Sequence, residues 1–104
     1  MIRVKDESVQ VSQLSTGALL ALIVADQVFT SYGYETVITS GNDGNHSYTS
    51  LHYNNDALDL RMRHVKESQK QEIAEEISLR LGLDWDVLLE IDHLHLEKQP
   101  RHRI

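Results

Sequence analysis

The sequence predicts an α+β domain: a small antiparallel sheet with helices packed on one of its faces. Three observations lead there. Two segments repeat apolar residues at spacings of three and four, the spacing of a helix with one buried stripe. Four shorter segments are β-branched or alternate between apolar and polar residues, as strands do. The whole chain is 104 residues, which fits one domain, 1–104, and leaves no room for a second.

Residues 13–32 form the first expected helix, with Leu14, Ala18, Ala21, Leu22, Ala25, Val28, Phe29 and Tyr32 on one stripe. Gly33 stops it. Thr36–Ser40 is β-branched and short, hence a strand. Residues 41–56 hold Gly41, Gly44 and asparagines at 42, 45, 54 and 55. That is a long loop for a small domain, and long loops without structure of their own are usually functional. Ala57–Arg63 alternates, with Leu58, Leu60 and Met62 on one face and Ala57, Asp59, Arg61 and Arg63 on the other. A second helix is expected over 66–81, on the spacing of Ile73, Ile77 and Leu81. Gly82 ends it, and Ser68 with Gln71 suits a capping box if the first turn starts late. Asp86–Ile91 and His93–Glu97 read as two strands around a tight corner, with Trp85 before them in the core. Residues 98–104 make a polar tail, expected to be loosely held.

Composition removes several classes. The formal charge is −6, with 16 acidic and 10 basic side chains. That balance argues against nucleic acid, whose binders neutralise phosphates with Lys and Arg, and against an anionic membrane surface. With no cysteine, neither a disulfide framework nor a thiolate metal site can form. The most apolar run, Ala18 to Ala25, is far shorter than a bilayer span. The mixed-charge start, Met1 to Ser8, lacks the pattern of a signal peptide. A protein made and kept in a cytoplasm is expected, reaching any cell wall only after release.

Chemistry-bearing residues converge in two places. The first is Ser50-Leu51-His52-Tyr53-Asn54-Asn55-Asp56-Ala57-Leu58-Asp59, where His52 closes the polar loop and Asp59 opens the following strand. The second is Glu90-Ile91-Asp92-His93-Leu94-His95. Period two puts His93, His95 and Glu97 on one face of the last strand. If the two strands are neighbours, Asp59 and His95 face the same surface and His52 needs only to fold over it. Two imidazoles and a carboxylate with one open position are the donor set of catalytic zinc. The same residues without metal would be a solvated histidine pair and an aspartate paired with Arg61.

Ser50-x-His52-x-x-x-x-Ala57-x-Asp59 followed by His93-x-His95 resembles the signature of the M15 zinc peptidase family, SxHxxGxAxD and then HxH. These are the D-Ala-D-Ala carboxypeptidases and dipeptidases and the L-alanyl-D-glutamate endopeptidases of phage lysis. The resemblance covers roughly residues 36–97 and extends to the Hedgehog signalling domain of the same fold, through His46 to Tyr53 and Gly82-Leu83-Asp84-Trp85. It implies one zinc ion per chain on the open face of the sheet, held by His52, Asp59 and His95. It implies a peptidoglycan stem peptide as substrate, cut at a D,D- or L,D-type bond. The family base stands three residues before the last ligand, at Asp92 here, with Glu90 as the alternative.

Further roles follow from the same resemblance. The implied metal activates a water whose proton passes to Asp92 and on to the leaving amine. His93 donates to the tetrahedral intermediate, a role His46 can share from the loop. Ser50 fixes the loop or binds a substrate carboxylate, and Tyr53 stacks on substrate or closes the loop. Two positions depart from the family: Asn55 stands where the family has glycine, and Ser40-Gly41-Asn42-Asp43 lacks the arginine of its Ser-Gly-x-Arg element. Arg61, on the strand face of Asp59, is the candidate replacement for that positive charge. The missing arginine also keeps open a zinc-binding interaction module of the same fold without hydrolytic activity. His64 and His102 lie outside both motifs and are expected on the surface.

Overall fold

The computed structural model describes residues 1–41 and 56–99. The expected burial of Leu58, Leu60 and Met62 is realised, although the strand ends at Arg61 rather than Arg63 and Ala57, expected on the polar face, is also buried. Leu58, Leu60 and Met62 are completely buried, as are Leu94 and Leu96 of the last strand. They form one apolar cluster with Ala18, Ala21, Leu22, Ala25, Val28 and Phe29 of the first helix and Ile73, Ala74 and Ile77 of the second. One shared cluster means both helices cover the same face of the sheet, and burial of this apolar surface is the main force holding the layers together.

The elements in order are β1 (Ile2–Val4), α1 (Thr16–Ser31), β2 (Thr36–Ser40), β3 (Ala57–Arg61), α2 (Glu67–Leu81), β4 (Trp85–Leu89) and β5 (His93–Lys98). They form a five-stranded sheet in the order β1-β2-β3-β5-β4. The sheet is mixed rather than antiparallel. The expectation missed β1, which pairs parallel to β2 with Ile2 opposite Thr36 and Val4 opposite Ile38. A parallel neighbour requires a crossover, and α1 supplies it. All other pairings are antiparallel. β5 lies between β3 and β4, so β3 and β4 run the same way with α2 linking them.

Helix ends follow local chemistry. Ser15 caps α1, its hydroxyl accepting from the Ala18 amide at 3.1 Å. This places the helix start three residues later than expected. Gly33 then turns the chain out at φ +86°. The capping box at Ser68 and Gln71 does not form. α2 begins at Glu67, which places Ser68 inside the helix, and Lys66 at the cap position makes no side-chain cap. Its backbone N–H instead donates to the Tyr34 hydroxyl at 3.1 Å. Gly82 closes α2 at φ +82°.

Two further corrections concern the last strands and His64. β4 ends at Leu89, because Glu90 leaves the ladder to make the corner, its amide donating to the His93 carbonyl at 2.9 Å. β5 runs on to Lys98, and the Gln99 amide donates to Asp84; residues 100–104 of the expected tail, His102 among them, lie outside the described residues. Trp85 packs against the core as expected. His64 is half-buried rather than fully on the surface. Its ring stacks on Phe29 at 6.2 Å and meets Tyr34 edge-on, and its Nε2 is 2.9 Å from the Glu35 carbonyl. Strand parity could not foresee a ring covered by a connecting segment.

Candidate functional site

The pleat that buries the leucines turns Asp59 and Arg61 of β3, and His93, His95 and Glu97 of β5, toward the face away from the helices. Register does the rest. Asp59 stands directly opposite His95, and Arg61 opposite His93. Directly opposed residues on one face are close enough for side-chain contact. The Asp59 carboxylate lies 2.7 Å from His95 Nδ1, and the other ring nitrogen, Nε2, is 2.8 Å from Glu97 Oε1. A ring with a carboxylate on each nitrogen donates twice only as the imidazolium. The Asp59 hydrogen bond, opposed by burial and reinforced by Glu97, accordingly pushes the His95 imidazolium up to about 9.

His93 stands beside it. Its Nε2 lies 2.7 Å from Glu90 Oε1 and 3.7 Å from Asp59 Oδ1, and its Nδ1 lies 3.0 Å from Asp92 Oδ1. The hydrogen bond from His93 holds the Asp92 carboxyl below the usual aspartate range. The corner at Glu90–Asp92 thus wraps two carboxylates around one imidazole. Met62 ties that corner to the end of β3, its amide donating to the Asp92 carbonyl at 3.0 Å.

The structure therefore brings together five of the expected site residues: Asp59, His95, His93, Glu90 and Asp92. Arg61 lines a groove of about 300 Å³ with Lys5, Thr39, Ser40, Asp59, Arg63, Asp92 and His93. The remaining expected residues, His46, Ser50, His52 and Tyr53, lie outside the described residues. Glu97, to which the sequence assigned no role, holds the second nitrogen of His95. Strand parity had placed it on the right face. Lys5 carried no sequence signal, because the short β1 that positions it was not recognised.

Asp59 and His95 offer one oxygen and one nitrogen donor in contact, the donor types zinc accepts. Among the described residues, no group of three His, Cys, Asp or Glu is placed to hold a metal ion, and the third expected ligand, His52, is not among them. In the structure these two donors are bonded to each other, and both His95 nitrogens face carboxylates, so His95 would have to give up its proton before it could take a metal.

No family model matches the chain, and no curated protein matches it. No helix among the described residues is long and apolar enough to cross a membrane.

Proposed function

We propose that the chain is a zinc-dependent peptidase that hydrolyses amide bonds of peptidoglycan stem peptides, with His52, Asp59 and His95 as the metal ligands. The observation that carries the reading is the 2.7 Å pair of Asp59 and His95, drawn from strands 36 residues apart. It sits beside a groove that Asp92 and His93 also line. Zinc bound there would polarise the scissile carbonyl and acidify water. The chain's own side chains do the rest. Glu97 orients the His95 ring through its second nitrogen, the usual partner of a metal-ligating histidine. Asp92 receives the proton from the attacking water and returns it to the leaving amine. His93 donates toward the developing oxyanion.

One observation favours a second reading, a zinc-binding interaction module without hydrolysis. Asp92 is tied to His93 and its proton affinity is lowered, whereas an efficient general base has a pKa near the working pH. One experiment separates the two. Purified protein is loaded with zinc, its metal content is measured, and peptidoglycan fragments are analysed by mass spectrometry after incubation. One zinc per chain with new peptide termini supports the peptidase. One zinc per chain with intact fragments supports the module. No bound zinc in a folded protein overturns both.

A further inference from the structure

The edge of a sheet is a row of backbone donors and acceptors with no strand beside it. The two edges here are β1 and β4. β1 is three residues long and carries Arg3, with Lys5 just beyond it; shortness and positive charge keep an edge from pairing. β4 has neither protection. It is five residues, Trp85-Asp86-Val87-Leu88-Leu89, without Lys, Arg or Pro, and its register on β5 runs without a bulge. The ladder decides which groups face outward. The Glu90 amide donates to the His93 carbonyl, and the Gln99 amide to the Asp84 carbonyl. Bonded residues alternate along an antiparallel strand, so Asp86 and Leu88 also bond β5, while Trp85, Val87 and Leu89 point away from it. The Trp85 amide turns back to the Gly82 carbonyl. Val87 and Leu89 leave two amides and two carbonyls with no backbone partner among the described residues.

A groove runs along this edge. Gln71, Ala74, Glu75 and Ser78 of α2 form one wall and Val87 to Glu90 the other, around about 560 Å³. Val87 and Leu89 pack against the core from this strand, so the groove is apolar at its base. Its charges have one sign: Glu75 and Glu90 line it, with no Lys or Arg. Glu75 accepts from the neutral Gln71 side chain, and Asp86, on the outer face of β4, from the neutral Gln99 side chain. Glu90 pairs with His93, which offsets its charge only when protonated. A second copy suits this edge badly. Setting Val87 against its own counterpart places Asp84 of one copy opposite Glu90 of the other, twice, between chains of net charge −6.

We propose that the β4 edge binds an extended cationic segment of another protein as a sixth, antiparallel strand, with apolar side chains opposite Val87 and Leu89 and Lys or Arg opposite Asp86 and Glu90. Residues two apart share a face, so the apolar pair falls into the groove over Ala74 while the cations stand on the outer face beside the two carboxylates. Main-chain bonds to Val87 and Leu89 supply affinity, and the alternating side chains supply selectivity. Each exposed ion pair adds about fivefold at most. The proposal is independent of the peptidase reading.

The test is backbone-amide NMR of the full chain titrated with three blocked pentapeptides. Acetyl-Lys-Ile-Thr-Ile-Lys amide carries the proposed pattern. Acetyl-Glu-Ile-Thr-Ile-Glu amide reverses its charges. The third is the first with both isoleucines N-methylated, which removes the donors that would meet the Val87 and Leu89 carbonyls. The expected result is that the first peptide shifts the Val87 and Leu89 amides, slows their hydrogen exchange and binds at least tenfold more tightly than either of the others. Val87→Pro removes an outward amide and leaves the β5 side of the ladder in place; it lowers that affinity at least tenfold. Glu75→Gln with Asp86→Asn lowers it about threefold or more and flattens its dependence on salt. Should Val87→Pro fail to fold, the N-methylated peptide and the charge variant decide alone. Equal binding of all three peptides, or shifts that avoid β4, overturns the proposal. A dimer in sedimentation that Val87→Pro dissolves assigns the edge to a second copy and overturns it as well.

Discussion

Raising the pH of the metal-free protein should destabilise it through a single ring. Asp59 and Glu97 push the His95 imidazolium up to about 9, against an ordinary value of 6.5. At about 1.4 kcal/mol per tenfold change in proton affinity, this corresponds to a ceiling of about 3 kcal/mol. The ring is 16 % exposed, and the residual screening reduces the figure to about 2 kcal/mol. The sign follows from proton binding. Below pH 6.5 both folded and unfolded rings are protonated, and the stabilisation is complete. Between 6.5 and 9 the folded ring keeps a proton the unfolded ring has lost, so stability falls as pH rises and the contribution is gone above 9. Urea unfolding in EDTA at pH 6, 7.5 and 9.5 measures it, with a total loss near 2 kcal/mol, or about 10 °C in Tm. His95→Gln should flatten that portion of the profile, and Asp59→Asn should shrink it. A His95 ring that titrates by NMR at or below 6.5, or a pH slope unchanged in His95→Gln, would refute the reasoning.

The same proton competes with zinc, so the apparent zinc affinity of the proposed site should rise about tenfold per pH unit between 6.5 and 8.5 by competition titration; a pH-independent affinity would remove His95 from the ligand set. Asp92→Asn should keep the metal and lower peptide hydrolysis about 100-fold or more, and equal turnover in the variant would show that Asp92 is not the base. Leu60→Ala, which empties a fully buried position between helices and sheet, should cost about 2–5 kcal/mol in urea unfolding, against about 1 kcal/mol for removal of the Ser15 cap by Ser15→Ala. Gly41→Ala would drive a Cβ into the Gln10 carbonyl oxygen and to 3.2 Å from Val11; two backbone segments would have to part, and we expect a clear loss of Tm by calorimetry, with an unchanged Tm counting against the close approach.

Most of the apolar architecture was legible because period alone encodes it. The α1 stripe and the Leu58–Leu60–Met62 face required no knowledge of neighbours. The site was half legible for a related reason. Parity placed Asp59, His95 and Glu97 on polar faces, but only the register Asp59 opposite His95 turned two faces into one contact. β1 escaped because three residues cannot display alternation, and with it went Lys5. The capping box at Ser68 failed because the pattern can be satisfied one turn late, whereas Tyr34, from a distant connection, accepts from the Lys66 amide at the start of α2. His64 was misjudged because the aromatic rings that enclose it come from α1 and the α1–β2 connection.

The interposed position of β5 has a consequence for how the molecule assembles. Until residues 93–98 arrive, β4 has no partner strand, and β3 has no neighbour on that side. The final strand works as a zip between two half-built pieces, and it brings His95 with it. Pairing of β3 with β5 and arrival of the imidazole beside Asp59 are therefore one event, so no species that lacks that strand pair can possess the carboxylate–imidazole pair in this register.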